Sequence, residues 1–144
     1  MTRVHQFLAG VLITLGLVLP HRAGAEILQV RVDLSEQIMR VYLDNRAVYL
    51  WPISSARPGK VTPLGTFHPQ FLSANHKSSL YDNAPMPWSV FFYGHYAIHG
   101  TTELSKLGQP ASAGCIRLHP ENAEILFALV QARDKQSTFI VVEP

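Results

Sequence analysis

The sequence predicts a mostly-β domain with one buried helix near residues 120–132. Three observations carry that prediction. β-branched and aromatic residues recur in short runs separated by turn signals. Prolines and glycines are spread along the chain, which leaves little room for long helices. A helical pattern emerges only once, where Pro120 stands near a first turn and apolar residues fall on most faces from Ala123 to Val130.

Residues 1–25 stand apart from that domain. Arg3 lies in a short n-region, residues 7–19 are largely apolar, and Pro20 precedes a terminal Ala23-Gly24-Ala25. Small residues three and one before Glu26 give the cleavage pattern of a secretory signal peptide. The apolar stretch is short for a membrane span, and no second one approaches the necessary length. The expectation is an exported chain that starts at Glu26 and has no stable membrane insertion after cleavage.

Ile27, Leu28, Val30 and Val32 form a β-rich run ending at Asp33, and Ser35-Glu36-Gln37 supplies a turn. Residues 38–43 make a second strand. Asp44-Asn45, a pair able to take positive φ, closes a hairpin onto a third strand over residues 47–53. This first part is expected to be antiparallel sheet. Arg57-Pro58-Gly59-Lys60 is a turn, and residues 62–67 begin another extended segment. Residues 68–88, polar and broken by Pro69, Pro85 and Pro87, read as a long irregular excursion of the kind that carries function. Residues 90–93 and 96–100 are aromatic-rich strands. Residues 101–107 are expected to form one helical turn closed by Gly108. A loop over 110–114, a short extended piece over 115–118 and a closing strand over 138–142 complete the chain. There are no internal repeats and no low-complexity segments.

Without its first 25 residues the chain has 119, with 10 basic and 10 acidic side chains. That length supports one domain. A formal charge near zero argues against a nucleic-acid binder, which would carry a basic stripe, and gives no long-range field for a polyanion. The single cysteine, Cys115, cannot form an internal disulfide, so the core must hold without one. In an oxidising compartment a lone thiol is a hazard unless it pairs between chains or does chemistry.

Thiol catalysis needs a cysteine, a base for its proton, and backbone donors where an oxyanion develops. Ser112-Ala113-Gly114-Cys115-Ile116-Arg117 supplies the thiol and a glycine that lets the backbone turn sharply. The amides around Gly114 and Cys115 are the candidate oxyanion donors. His99 ends a β-like run and precedes Gly100, where a strand can present an imidazole at an open edge. The plainer alternatives are a buried structural cysteine and a satisfied core histidine.

Ile98-His99-Gly100 followed by Ser112-Ala113-Gly114-Cys115-Ile116-Arg117-Leu118 resembles the signature of L,D-transpeptidase catalytic domains, the YkuD family. Thr62-Pro63-Leu64-Gly65-Thr66-Phe67 is similar to the family's Thr-Pro-x-Gly-x-Phe segment, and Ala84-Pro85-Met86-Pro87-Trp88 to its Pro-Met-Pro-aromatic segment. The segments stand in the family's order across residues 27–142. The resemblance implies an L,D-transpeptidase-like β-sandwich of mixed sheets, with Cys115 as nucleophile and His99 as its imidazole partner. It implies attack on the L,D peptide bond of a peptidoglycan tetrapeptide stem, loss of D-Ala and a thioester at Cys115. Passage of the acyl group to a second stem makes a 3→3 crosslink. Water as acceptor would make an L,D-carboxypeptidase, and the amine of an outer-membrane protein would tether that protein to the wall. The signal peptide points to export into the periplasm, a monomer is expected, and no cofactor is called for. One departure is evident, since Ala113 stands where the family usually has His. A non-catalytic peptidoglycan-binding module of the same fold is the reading that Ala113 favours.

Around the dyad, Ser112 is expected to position a substrate carbonyl or fix the loop. Arg117 either orients the loop or binds a stem carboxylate. Trp88, Tyr81 and Phe92 are candidates to line the donor groove, although aromatics in a small β domain are more often core. Gly100 is a candidate for substrate contact or backbone geometry. A zinc centre built from His95, His99, Cys115 and His119 is a rival reading whose spacing fits no common zinc pattern.

Overall fold

A computed structural model describes residues 26–144, so the expected signal peptide, residues 1–25, lies outside the described residues. Alternation with a period of two dominates the strands. In β1 (Leu28–Asp33), Leu28, Val30 and Val32 are fully buried while the residues between them are not. β2 (Ile38–Leu43) buries Met39 and Val41 in the same way. β3 (Arg46–Pro52) is an edge strand, and Trp51 is its one buried residue. The β2–β3 hairpin turns through Asp44 and Asn45 at φ 46° and 63°, the two left-handed residues that match the strand twist.

β1, β2 and β3 pair antiparallel, as expected. The closing strand β9 (Thr138–Glu143) then lies parallel to β1, and β4 (Gly65–Phe67) pairs with β9. This gives a five-stranded mixed sheet in the order β3-β2-β1-β9-β4. A second, four-stranded sheet has the order β5-β6-β7-β8, from β5 (Phe71–Lys77), β6 (Pro85–Tyr93), β7 (Tyr96–Gly100) and β8 (Ile116–Leu118).

The helix α1 (Pro120–Gln131) opens with Pro120 in its first turn and His119 accepting from the Glu121 N–H. Its buried residues, Ala123, Leu126, Phe127 and Val130, follow the helical period and pack against β6 and β7. They join Val30, Met39, Ile140, Phe92, Ile98 and Leu118 in one core shared by both sheets. The mostly-β prediction with one buried helix holds.

One segment departs from expectation. Residues 68–88 are not an irregular excursion, because they contain β5 and the start of β6. β5 is an edge strand with no buried residue, so it lacks the apolar alternation that would reveal it. Pro85 and Pro87 are tolerated because the first half of β6 runs past β7 and is paired on one side only, with Lys77 and Asn75.

Candidate active site

β7 and β8 run parallel, with Ile98 opposite Ile116 and His99 opposite Arg117. The strand period sorts their side chains. Ile98, Ile116 and Leu118 turn into the core, while His99, Cys115 and Arg117 share the opposite face. All three line one cavity of about 410 Å³, walled in part by Tyr81, Met86 and Tyr96. Met86, Phe91 and Ala97 form a small apolar cluster against which Cys115 packs.

The loop before the cysteine is held by three strings of hydrogen bonds. The Gly114 N–H donates to Ser112 Oγ at 3.0 Å, and that hydroxyl donates to the Cys115 carbonyl at 2.6 Å. Thr62 Oγ1 donates to the Gly114 carbonyl at 2.8 Å. The Ser112 and Ala111 N–H groups donate to the Ser55 carbonyl, and the Arg57 N–H donates to the Ser112 carbonyl. Gly114 has φ +141°, and a Cβ there would stand 2.7 Å from Tyr96 Cε1 and 2.9 Å from the Val61 carbonyl oxygen. Only glycine fits.

His99 is 6% exposed, and its Nδ1 lies 2.7 Å from the Gly100 carbonyl. A carbonyl can only accept, so Nδ1 carries the proton and Nε2 is left as the basic nitrogen. Burial pushes the His99 pKa down to about 4; the Gly100 bond opposes this, and the charges of Arg117 and His76 add to it. Burial also pushes the Cys115 thiol up, against the Ala97 N–H and the Arg117 charge. Thiol and imidazole therefore both rest neutral. The thiol also makes a weak contact to the His95 carbonyl at 3.7 Å.

These strands and this loop recur in known proteins. Residues 28–142 match the L,D-transpeptidase catalytic domain family, YkuD. The chain belongs to that family. A Bacillus licheniformis protein carrying the name L,D-transpeptidase YkuD is 29% identical over 102 residues, which is 71% of this chain and 59% of that protein. An L,D-transpeptidase from Mycobacterium smegmatis shares the fold with a TM-score of 0.75 at 21% identity, covering 83% of this chain and 59% of that one. L,D-transpeptidase 3 from Mycobacterium tuberculosis, solved with a faropenem-derived adduct, gives 0.72 at 20% identity, with 83% and 61% covered. The chain thus spans about three fifths of the length of these relatives.

Within this YkuD domain the residues singled out from sequence divide. Cys115, His99, Arg117, Ser112 and Tyr81 meet at the cavity. The Gly114 N–H is occupied by Ser112 Oγ; on either side of it, among the described residues, the Ala113 and Cys115 N–H groups are uncommitted and both residues line the cavity. Ser112 fixes the loop. Arg117 pairs with Glu103 at 2.7 Å instead of with loop carbonyls.

Besides Gly114, three positions fall outside the cavity lining. Trp88, at φ 57°, turns its indole onto Phe127 of α1, with ring centroids 5.4 Å apart. Phe92 is 1% exposed and packs on Phe67 in the core. Gly100 faces α1, where a Cβ would meet Pro120 and Pro87 at 3.1 Å, and its carbonyl holds the His99 ring. The zinc reading loses its ligand set, because His119 caps α1 and no group of three metal-ligating side chains forms among the described residues. Sequence reasoning passed over Thr62, whose signal was its place in the Thr-Pro segment, and Arg57, read only as part of a turn.

Proposed function

We propose that the chain is an exported L,D-transpeptidase of the periplasm, with residues 1–25 as its signal peptide, acting on peptidoglycan tetrapeptide stems through a thioester on Cys115. The observation that carries this reading is the single cavity face shared by Cys115, His99 and Arg117 in a chain of the YkuD family. Among the described residues no helix is long and apolar enough to cross a membrane, which is compatible with a chain released after export.

In this reading the Cys115 sulfur attacks the carbonyl carbon of the diamino acid while its proton passes to His99 Nε2. The Nδ1 bond to Gly100 fixes the tautomer that makes this possible. The oxyanion forms next to the uncommitted Cys115 N–H. The bond to D-Ala breaks, and His99 returns the proton to the departing amine. A second stem's side-chain amine then attacks the thioester carbon, His99 receives its proton, and the sulfur leaves and takes that proton back from His99, which gives a 3→3 crosslink and restores the neutral pair. Water in place of that amine yields the carboxypeptidase reaction, and the amine of an outer-membrane protein yields a wall-anchored protein.

The neutral resting pair favours proton transfer in step with attack over a standing thiolate. The weak contact to the His95 carbonyl yields easily when a substrate carbonyl enters. Ala113 also lines the cavity and brings no donor or acceptor side chain; of the two histidines in the lining, His95 and His99, the proton-transfer role is assigned to His99, which shares a face with Cys115.

The test is D-Ala release from purified disaccharide-tetrapeptide, followed by mass spectrometry, with wild type and Cys115→Ala. Release by wild type and none by the variant is expected. Release by both, or by neither, overturns the assignment of Cys115. Because a Mycobacterium tuberculosis relative was solved with a faropenem-derived adduct, one faropenem-derived group on Cys115 is a second expected outcome.

A further inference from the structure

We infer that Arg57 reads the terminal carboxylate of the donor stem and so restricts the enzyme to donors whose leaving residue is the last one. The inference rests on the transpeptidase reading above and adds a specificity residue to it. Two guanidinium groups line the cavity, those of Arg57 and Arg117. Glu103 neutralises Arg117 with a 2.7 Å ion pair. Among the described residues no carboxylate pairs with Arg57, and its side chain donates no hydrogen bond. With Arg117 and Glu103 cancelling, Arg57 carries the remaining formal charge of the cavity walls.

Its position is tied to the nucleophile. Ala56 bridges Ser112, the Arg57 N–H donates to the Ser112 carbonyl at 2.9 Å, and Ser112 Oγ in turn holds the Cys115 carbonyl. Arg57 therefore stands on the irregular segment after β3 that braces the cysteine loop. In a tetrapeptide donor the α-carboxylate of the leaving residue lies one residue beyond the scissile carbonyl, a span of about 3.6 Å. Every such donor holds it at a fixed short distance from the scissile carbonyl. A planar guanidinium fork matches a carboxylate with two parallel hydrogen bonds. A stem extended by one more residue offers a neutral peptide bond at the same place, and Arg57 gains nothing from it.

Arg57 is exposed, so water and salt screen the contact and its worth lies at the low end for a charge-assisted bond. The expected discrimination is about tenfold in kcat/KM. The carboxylate is present in ground and transition states alike, so most of that factor belongs in KM.

The experiment compares disaccharide-tetrapeptide ending in a free carboxylate with the same compound ending in a carboxamide, for wild type, Arg57→Gln and Arg57→Lys. Wild type is expected to prefer the acid about tenfold, chiefly through KM, with the preference shrinking in high salt. Arg57→Gln is expected to bring the preference close to one, and Arg57→Lys to retain part of it. A faropenem adduct on Cys115 of each variant checks that the site is folded. Equal treatment of acid and amide by wild type overturns the role of Arg57. So does a loss in Arg57→Gln that is the same for both donors. Turnover of neither donor by wild type means that the transpeptidase reading itself fails, and the role of Arg57 with it.

Discussion

His99 makes a measurable demand on folding. Its pKa falls from the ordinary 6.5 to about 4 because the ring is buried beside Arg117 and His76, with only the Gly100 carbonyl as compensation. A depressed histidine pKa means that the unfolded chain binds the proton more readily than the folded one. The corresponding stability is fully present above about pH 6.5 and is lost as pH falls toward 4. Linkage of one site with these two values gives a loss of about 1 kcal/mol at pH 5.5 and about 3 kcal/mol at pH 4, relative to neutral pH. Carboxylates such as Asp33, whose pKa is lowered by the Glu36 backbone N–H and the Ser35 hydroxyl, also lose stability in acid. The variant His99→Gln removes the imidazole and leaves those groups in place. Urea unfolding of wild type and His99→Gln at neutral pH, pH 5.5 and pH 4 isolates the histidine's share. Wild type is expected to lose about 3 kcal/mol more than the variant between neutral pH and pH 4. A wild-type-minus-variant difference that does not move with pH would show that His99 titrates as a solvated imidazole, and the neutral-pair account would be refuted.

Gly114→Ala places a methyl 2.7 Å from Tyr96 Cε1 and 2.9 Å from the Val61 carbonyl at φ +141°; a loss of about 2–3 kcal/mol in urea unfolding is expected. Adding Tyr96→Ala should not restore stability, since the Val61 backbone still blocks the methyl. Ser112→Ala removes the acceptor for the Gly114 N–H and the donor to the Cys115 carbonyl. It should cost about 1–3 kcal/mol in the same assay and broaden the Cys115 amide signal in NMR spectra. Arg117→Met removes a charge that holds both titrating groups down. The pH midpoint of Cys115 alkylation by iodoacetamide and the NMR-detected pKa of His99 should therefore both rise; opposite movements would contradict the electrostatics.

Much of the fold was legible because local chemistry and packing agree. Asp44-Asn45 marks a hairpin whose φ values are both positive. Pro120 opens a helix that buries Ala123, Leu126, Phe127 and Val130 on one face. β5 was hidden because it lies at a sheet edge and buries nothing, so its sequence carries no two-residue signature. Trp88 and Phe92, open to either groove or core from sequence, both pack with the core. A left-handed residue at Trp88 interrupts the β6 alternation and sends the indole to the helix side of the sheet.

At the site, residue chemistry pointed to Cys115 and His99, but the use of each backbone group depends on distant partners. The Gly114 N–H goes to Ser112 Oγ, the Gly114 carbonyl accepts from Thr62, and the Ser112 carbonyl accepts from Arg57. The last two pairings join residues about fifty positions apart and leave no periodic trace. The near-neutral charge after residue 25 has a local counterpart as well, since Glu103 cancels Arg117 within the cavity and leaves Arg57 as its cation.

The central claim is a covalent donor intermediate on Cys115. Its most direct test is the intact mass of the protein, quenched in acid shortly after mixing with disaccharide-tetrapeptide and followed by peptide mapping. The account predicts one added mass equal to the donor less D-Ala, located on the peptide containing Cys115 and released by hydroxylamine. D-Ala release without any adduct, or an adduct that persists in Cys115→Ala, would contradict it.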